Sequence, residues 1–224
     1  MDYRVYKSLL QESSLDAHVV LDKLGYDNLS PVDLRRIFLL LTRACYSDTR
    51  NYGDLTPYEL RNPELKYSKD KYEKTIDVEL DYIYDADEVN VRPVVFVGLG
   101  DITFQRTAIG DYAGISEDRS TVYHTNQSQG TVVFRHIATS PDLAYAMSDI
   151  TVKYFLAGTS LLRQGLPGLL DFNLQGISKI NFTDTDRERN YRVDVVFNFA
   201  FSFVWSTRTE DQPLTTINLN KFDV

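Results

Sequence analysis

The side chains best able to do chemistry are three histidines and one cysteine, and they lie in unrelated parts of the sequence. His18, His124 and His136 form no His-Glu-x-x-His pair and no other spacing typical of a metal site. His136 lies in the middle of a predicted strand, so we predict a structural rather than a catalytic role. The single cysteine, Cys45, excludes an intramolecular disulfide and a cysteine-based zinc site. It closes an apolar helical stripe, which favours a small buried residue over a catalytic thiol.

Two other patterns approach ligand-binding motifs without completing them. The segment Gly98–Gly100 lacks the third glycine and the following helix of a dinucleotide fingerprint. Asp85, Asp87 and Glu88 lack the glycine and the distal glutamate of a calcium loop, which favours an acidic hairpin turn. Walker loops and Gly-x-Ser-x-Gly elbows do not occur in the sequence. The sequence therefore predicts no catalytic residues, no cofactor and no metal site.

The composition is that of a folded, acidic protein. The 224 residues are 43% hydrophobic and 25% charged, which is ordinary for a soluble domain. The net charge of −8 argues against a surface that grips nucleic-acid phosphates, although DNA can slide past an acidic wall because like charges repel. No stretch approaches the roughly 20 apolar residues of a membrane span, and a signal-peptide layout is lacking. We therefore expect no membrane contact and folding in the cytosol.

The elements that position these side chains are organised around one long predicted strand, Tyr191–Ser206. Its odd-numbered residues are large and apolar, whereas its even-numbered residues are mostly polar or small. Such alternation is typical of a strand with one buried face. The preceding segment alternates in the same way, with Leu170, Phe172, Leu174, Gly176, Ser178, Ile180 and Phe182 on one side. We therefore predict one long antiparallel hairpin over Gly168–Ser206.

Shorter strands precede this hairpin. Alternation over Ile76–Tyr84 predicts one strand, and the apolar run within Val89–Leu99 predicts another that is buried on both faces. Gly98–Asp101 is interpreted as a tight turn and Ile102–Arg106 as the return strand of a hairpin. The remaining predictions are a loop over Ala108–Asp118, a short strand over Thr121–His124, a turn over Asn126–Gly130 and a strand over Thr131–Thr139.

Helical patterns occur in residues 1–46 and again before the final hairpin. Leu15, Val19 and Leu24 predict a short first helix, and Ser30 and Pro31 begin a second one. A covering helix over residues 141–163 carries the apolar stripe Leu143, Met147, Ile150, Tyr154, Ala157 and Leu161. The predicted fold class is α+β in a single domain, residues 1–224. It has a mixed, mainly antiparallel sheet over residues 75–224, with a long C-terminal β-hairpin and helices covering one face.

Two segments are candidates for contacts with a partner. Residues 47–74 show no sustained periodicity, which leaves open a mobile surface loop or an extended arm that orders on a partner. Its possible anchors are Tyr46, Tyr52, Tyr58, Tyr67 and Tyr72. The charged tip of the final hairpin, Asp184–Arg189, is either a solvated turn or a docking tip.

Four segments occur in an order that resembles a known family. A strand reading Arg-Pro-Val-Val-Phe-Val is followed by one reading Gly-Thr-Val-Val-Phe-Arg-His and by the helix start Ser-Pro-Asp-Leu-Ala-Tyr-Ala-Met-Ser-Asp. The last segment ends in Tyr-Arg-Val-Asp-Val-Val-Phe-Asn-Phe-Ala-Phe. Over Val89–Ser206 the chain resembles the tail-terminator or neck proteins of tailed bacteriophages. The long segment 46–74 and the length of the final hairpin depart from the simplest members of that family.

The resemblance implies a helix-on-sheet fold and a structural role in the virion. Members form a homo-oligomeric ring, usually a hexamer, on the end of the tail tube. The ring stops the growth of the tube and joins it to the head connector or a head-completion protein, and the phage DNA passes through the lumen without specific binding. The implied location is the neck of the virion, after assembly in the host cytoplasm. Because the family has no active site, no catalytic residue follows from the resemblance.

Three alternatives stay open at the level of the sequence. The first is another neck or tail component, such as a tail-tube protein or a head-completion protein, to which the long segment 46–74 and the long final hairpin could belong. An acidic DNA-mimic inhibitor is the second, but it needs clustered acidic residues, whereas the acidic residues here are distributed. An enzyme is the third, and it requires His124 or His136 to meet carboxylates across the fold.

Overall fold

Two long neighbouring strands form the centre of the molecule. The computed structural model of the chain describes residues 31–47, 65–68, 70, 72–81, 93–105, 112–116, 121–166, 168–184 and 189–208. Strand β5 (Thr121–Ala138) pairs antiparallel with strand β8 (Arg189–Arg208) along its whole length. The buried residues of β8 are Val193, Val195, Phe197, Phe199, Phe201 and Phe203. The long predicted strand and its buried face are therefore confirmed.

Six shorter strands complete a mixed, mainly antiparallel sheet. They are β1 (Asp77–Leu80), β2 (Val94–Leu99), β3 (Thr103–Gln105), β4 (Tyr112–Ile115), β6 (Leu169–Ile177) and β7 (Asn181–Asp184). The order across the sheet is β1-β2-β5-β8-β6, with β3 and β4 also pairing with β5, and β7 also pairing with β8. Both β6 and β7 run antiparallel to β8, so the long C-terminal hairpin is confirmed.

Three described helices pack on one face of this sheet, as predicted for an α+β fold. They are α1 (Pro31–Ser47), α2 (Pro141–Ala157) and α3 (Thr159–Gly165). Their packing is led by aromatic rings: Phe38 of α1 stacks on Phe172 of β6 at 5.5 Å, and Phe155 of α2 lies 4.7 Å from Phe134 of β5. Phe172 in turn stacks on Phe197 of β8 at 4.7 Å, with the rings nearly parallel. Stacked and edge-on rings of this kind hold the helices to the sheet.

The covering helix predicted over residues 141–163 is interrupted, and its buried stripe is rotated. Gly158 lies between α2 and α3, so the helix predicted over residues 141–163 is two helices. Ala157, which was predicted to be buried, is exposed, whereas Phe155 and Thr151 are buried. The stripe was chosen from apolar residues alone, so it left out the polar residue Thr151. The Thr151 hydroxyl contacts polar partners in the core.

The turn predicted over Asn126–Gly130 is wrong, because these residues lie in the middle of β5. Each has a register partner on β8, from Asn126 opposite Phe203 to Gly130 opposite Phe199. Polar residues and a glycine favour a turn locally, but pairing with an apolar strand on one side overrides that preference. The predicted short strand Thr121–His124 is therefore the beginning of the same long strand.

The hairpin predicted at Gly98–Asp101 is also wrong. β2 pairs with residues 132–137 of β5, and β3 then pairs with residues 127–129, so the chain continues in one direction. β4 continues the same row opposite Val122–His124, within the segment predicted as a loop. Strands β2, β3 and β4 therefore form one interrupted row along β5. Val94–Val97 is buried on both faces of β2, as predicted.

The pairing of β1 with β2 is parallel, so no hairpin joins them. Asp77 lies opposite Val94, and Leu80 lies opposite Val97. Alternation alone predicted the strand but could not give its direction. The candidate calcium ligands Asp85, Asp87 and Glu88 lie outside the described residues, as do the first predicted helix and His18.

Two β-bulges change which side chains of β6 face the core. The register shifts between Leu169 and Asp171 and again between Leu174 and Gly176. As a result Leu169 is buried and Leu170 is exposed, the reverse of the strict alternation predicted for this strand. The strand also stops at Ile177 and resumes as β7, whereas the sequence predicted one uninterrupted strand.

Candidate assembly surface

A buried polar network surrounds His136, one of the two candidate histidines. Its Nδ1 lies 3.2 Å from the Val193 carbonyl oxygen, and its Nε2 lies 2.8 Å from the Thr151 hydroxyl. The Thr151 hydroxyl also lies 3.2 Å from the Tyr46 hydroxyl, which donates to the Met147 carbonyl oxygen at 3.0 Å. Because a carbonyl only accepts, Nδ1 carries the proton and Nε2 accepts from Thr151. The network connects β8, β5, α2 and α1.

Burial keeps this histidine neutral. Removal from solvent lowers the pKa of His136 to about 4, although the Val193 carbonyl and the charge of Asp194 act in the opposite direction. No carboxylate is among its hydrogen-bond partners in the described residues. The arrangement connects helices to the sheet, and it lacks the exposed surface that a substrate would need. The structural role predicted for His136 fits this environment.

The other candidate residues are not brought together with His136. His124 lies on β5 opposite Trp205, twelve positions before His136 on the same strand. Cys45 is buried in α1, and burial raises the pKa of its thiol well above the ordinary value. Within the described residues, no group of three or more His, Cys, Asp or Glu side chains is placed to hold a metal ion.

The glycine pair that resembled part of a dinucleotide motif serves side-chain packing instead. A Cβ atom at Gly98 would lie 2.2 Å from a carboxylate oxygen of Asp81. That carboxylate lies between two guanidinium groups, 3.3 Å from Arg135 and 3.9 Å from Arg35. A Cβ atom at Gly100 would lie 2.2 Å from the Thr131 hydroxyl. At both positions a side chain of a neighbouring residue lies over the glycine.

Of the five candidate anchor tyrosines, two belong to the core and one is exposed. Tyr46 is fully buried in the network around His136. Tyr67 is buried under the Arg43 guanidinium, 5.1 Å from its ring centre, and its N–H donates to the Tyr46 carbonyl oxygen at 2.7 Å. An anchoring role for these two is therefore wrong. Tyr72 is 94% exposed and remains a candidate, whereas Tyr52 and Tyr58 lie outside the described residues.

Five of the nine exposed large apolar side chains of the described residues lie on β6, β7 or helix α2, and the other four, Tyr72, Phe104, Ile115 and Tyr123, lie elsewhere. Among the described strands, β6 and β7 form the outer row next to β8, and this row leaves Leu170, Ile177 and Phe182 exposed. The adjacent helix α2 leaves Tyr145 and Leu156 exposed, and these two lie on one helical stripe. We call this side, defined by these five residues, the β6 flank. The sequence showed its residues but not their exposure, because the bulges and the interrupted helix decide which ones face outward.

A groove opens on the β6 flank between α2 and the end of β6. Its volume is about 480 Å³, and it is lined by Tyr145, Ser148, Asp149, Ile177, Ser178 and Lys179. Tyr145 and Ile177 are each about half exposed, at 47% and 48%. An open groove with two apolar walls and a charged rim is suited to protein contact.

The face of the sheet opposite the helices carries uncharged polar side chains near its centre. Asn173, Asn198 and Thr131 lie side by side across β6, β8 and β5. Further along are Gln127, Gln129, Thr103 and Gln105, which are exposed. The same face carries an ion pair in which the Arg192 guanidinium makes two contacts with the Asp194 carboxylate. The face therefore has little net charge to attract or repel phosphates.

The tip of the final hairpin is described only at its base. Asp184 of β7 lies opposite Arg189 of β8, and residues 185–188 lie outside the described residues. The tip therefore stays a candidate docking element, and neither of its two interpretations is favoured by the described contacts.

No protein-family model matches the chain, and no curated protein matches it. Among the helices that the structure describes, none is long and apolar enough to cross a membrane.

Proposed function

We propose that this chain is a structural subunit of the bacteriophage neck, a tail-terminator protein that assembles as a ring, caps the tail tube and joins it to the head connector. The observation that carries the proposal is the β6 flank, which joins exposed apolar side chains, an edge row of strands and a groove. Exposed apolar patches and unpaired strand edges are typical of surfaces that bind other protein chains. The α+β architecture agrees with the fold that the family resemblance implies.

The chemistry of the described residues also favours assembly over catalysis. The most perturbed histidine is enclosed in a core network, and the cysteine is buried with a raised pKa. Functional sites usually place perturbed groups in a cleft, whereas the described groove has no histidine or cysteine in its lining. A protein that works by forming contacts requires no such site.

The proposed ring passes DNA without holding it. A net charge of −8 disfavours binding of phosphates, and the sheet face opposite the described helices adds amide and hydroxyl groups and an ion pair. From the sequence we expect acidic residues to keep DNA from binding the lumen, and a channel that passes DNA benefits from acidic or neutral walls. The sheet face supplies a second means, since uncharged groups offer phosphates no ion pair.

The test is the mass and shape of the purified protein, measured by light scattering and negative-stain imaging with and without isolated tail tubes. Closed rings, or a cap found only on tube ends, are the expected result. Filaments would instead indicate a tail-tube protein, because an open head-to-tail contact polymerises without limit. A single particle indifferent to tubes would overturn both and return the question to an inhibitor or an enzyme.

A further inference from the structure

An ordered turn holds Tyr72 in solvent. The Tyr72 N–H donates to a carboxylate oxygen of Asp70 at 2.9 Å, and the Asp70 N–H donates to the Ser68 hydroxyl at 3.1 Å. Two further bonds join the ends of the turn, since the Lys66 N–H donates to the Thr75 hydroxyl at 2.7 Å and the Thr75 N–H donates to the Lys66 carbonyl oxygen at 2.9 Å. The Tyr72 side chain is nevertheless 94% exposed. We call the described residues between 66 and 75 the Tyr72 turn.

An exposed aromatic ring on an ordered turn has the properties of a binding anchor. Tyrosine contributes a large contact area and loses little conformational freedom when it binds. A backbone that is already held by hydrogen bonds lowers the cost of binding further. The Tyr72 turn is therefore preorganised to place one ring on the surface of a partner.

The Tyr72 turn and the groove of the β6 flank lie at opposite edges of the described sheet. The turn leads into β1, the first strand in the order β1-β2-β5-β8-β6, whereas the groove adjoins the end of β6, the last strand. Four strand spacings of about 4.8 Å separate these edges by roughly 19 Å. A head-to-tail ring requires two different surfaces on each subunit. Phe182 lies on the same flank as the groove, so its insertion would pair two copies reciprocally, whereas insertion of Tyr72 continues from copy to copy.

The groove has the chemistry that a tyrosine side chain requires. Its volume of about 480 Å³ lies within the range of roughly 300–1,000 Å³ that is usual for ligand pockets. Tyr145 and Ile177 supply apolar walls for the ring. The Ser148 hydroxyl donates to the Tyr145 carbonyl oxygen at 2.7 Å, and its own oxygen can accept a further hydrogen bond. A phenol can therefore pack its ring against the walls and donate its hydroxyl hydrogen to Ser148.

The charges on the two sides are compatible with this contact. Glu73, next to Tyr72, has a side chain that is 61% exposed. At the groove the Asp149 carboxylate is paired with the Lys153 ammonium at 2.5 Å, and Lys179 adds a positive charge to the lining. The rim thus carries two positive charges and one negative charge, which favours the acidic neighbour of Tyr72.

We propose that the Tyr72 ring of one copy inserts into the groove of a neighbouring copy, against Tyr145 and Ile177. The proposal rests on the proposed ring and deepens it, because it names the contact that joins successive subunits. Each subunit supplies the tyrosine at one edge of its sheet and the groove at the other edge.

Photo-cross-linking between isotope-labelled copies tests where Tyr72 binds. Unlabelled protein with a benzophenone side chain in place of Tyr72 is mixed with protein labelled with heavy nitrogen. The expected product joins an unlabelled peptide containing position 72 to a labelled peptide containing residues 145–149 or 177–179. Products confined to unlabelled chains, products with any other element, or no product at concentrations that give oligomers would each overturn the proposal.

Matched substitutions measure how much the contact contributes to assembly. Tyr72→Ala should raise the concentration needed for assembly in light scattering by more than about tenfold, because it removes the anchoring ring. Tyr72→Phe keeps the ring and should have a smaller effect of about two- to tenfold, through loss of the hydroxyl hydrogen bond. Tyr123→Ala removes another exposed tyrosine, on β5, and is the control that should assemble like the parent protein. Because the Tyr72 side chain lies in solvent, its variants should keep the urea unfolding of the parent protein, which separates loss of the contact from loss of the fold.

The insertion of Tyr72 and the proposed ring fail in different ways. Rings formed by Tyr72→Ala at the concentration that suffices for the parent protein would overturn the insertion while the ring stands. Cross-links from position 72 to the groove, together with open filaments of the parent protein, would overturn the ring while the insertion stands.

Discussion

At the scale of single residues, the buried His136 makes the stability of the folded protein depend on pH. In the folded state the imidazole is neutral and makes hydrogen bonds to a carbonyl and to the Thr151 hydroxyl. Protonation turns Nε2 into a donor and places a positive charge in the apolar core. The folded state therefore resists a proton that the unfolded chain accepts readily.

Folding stability should therefore decrease as the pH falls from about 6.5 to about 4. Above the unfolded pKa of about 6.5 both states are neutral, and below the folded pKa of about 4 both are charged. Between these values only the unfolded state binds the proton, so about 3 kcal/mol of unfolding free energy is lost. Urea unfolding at a series of pH values measures this loss, and His136→Asn should remove most of it.

Thr151→Val provides the control for this prediction. It removes the hydroxyl group that binds Nε2 but keeps the histidine, so it should lower stability at every pH while preserving the pH dependence. An unchanged slope in His136→Asn would show that another group causes the acid sensitivity.

At the scale of elements, the approach of β6 to β8 depends on a glycine. A Cβ atom at Gly168 would lie 2.7 Å from the Phe201 ring and 2.7 Å from the Ser202 carbonyl oxygen. Gly168→Ala should therefore lower the unfolding free energy by about 1–3 kcal/mol, because backbone cannot move aside easily. Gly176→Ala is the matched control, since a Cβ atom there meets nothing within 4 Å. Equal losses in the two variants, measured by urea unfolding, would contradict this account.

The hairpin tip can be tested without disturbing the strands at its base. Replacing residues 185–188 with Asn-Gly keeps Asp184 and Arg189 available for a tight turn. The stability of the subunit should change little, whereas the yield of joined heads and tails in an in vitro assembly reaction should fall. Unchanged joining would remove the tip from the docking mechanism and leave it as a solvated turn.

Local sequence patterns predict some features of the helices and strands but not others. Alternation identified β8 and its buried face, because a strand's side chains change face at every residue. The same reasoning failed at Asn126–Gly130, where the preference for a turn is local and the pairing partner lies far away in the chain. It also failed to give the direction of β1 or the bulges in β6. Direction and register depend on contacts between segments, which no local pattern records.

The polar network around His136 could not be predicted from the sequence for a similar reason. His136 was recognised as structural, but Tyr46 was grouped with the arm and Thr151 was left out of the buried stripe. The hydroxyl groups of these two meet across more than one hundred residues of sequence. A polar residue on the buried side of an apolar helix, one turn from Met147, was the only available signal, and it identified no partner.

At the scale of the whole molecule, assembly should depend on the β6 flank. Ile177→Asp places a charge in the groove beside Tyr145 and should shift the protein from the proposed ring to a monomer in light scattering. Gln175→Asp, on an exposed residue of the same strand, is the control and should assemble normally. Since Ile177 is about half exposed, the subunit itself should remain folded, with a change in unfolding free energy of less than about 1 kcal/mol. Rings from Ile177→Asp would exclude the groove from the interface.

The pairing of β5 with β8 also sets the order of events during synthesis. β5 is complete at Ala138, but the residue that pairs with its first position, Arg208, is made roughly 70 residues later, about 4–14 s at ordinary rates of translation. Until β8 is made, α1, β5 and then α2 lack the strand that completes their core. We therefore expect the nascent chain to be prone to aggregation until β8 is complete. Slowing translation between these strands should increase aggregation more than slowing it after β8.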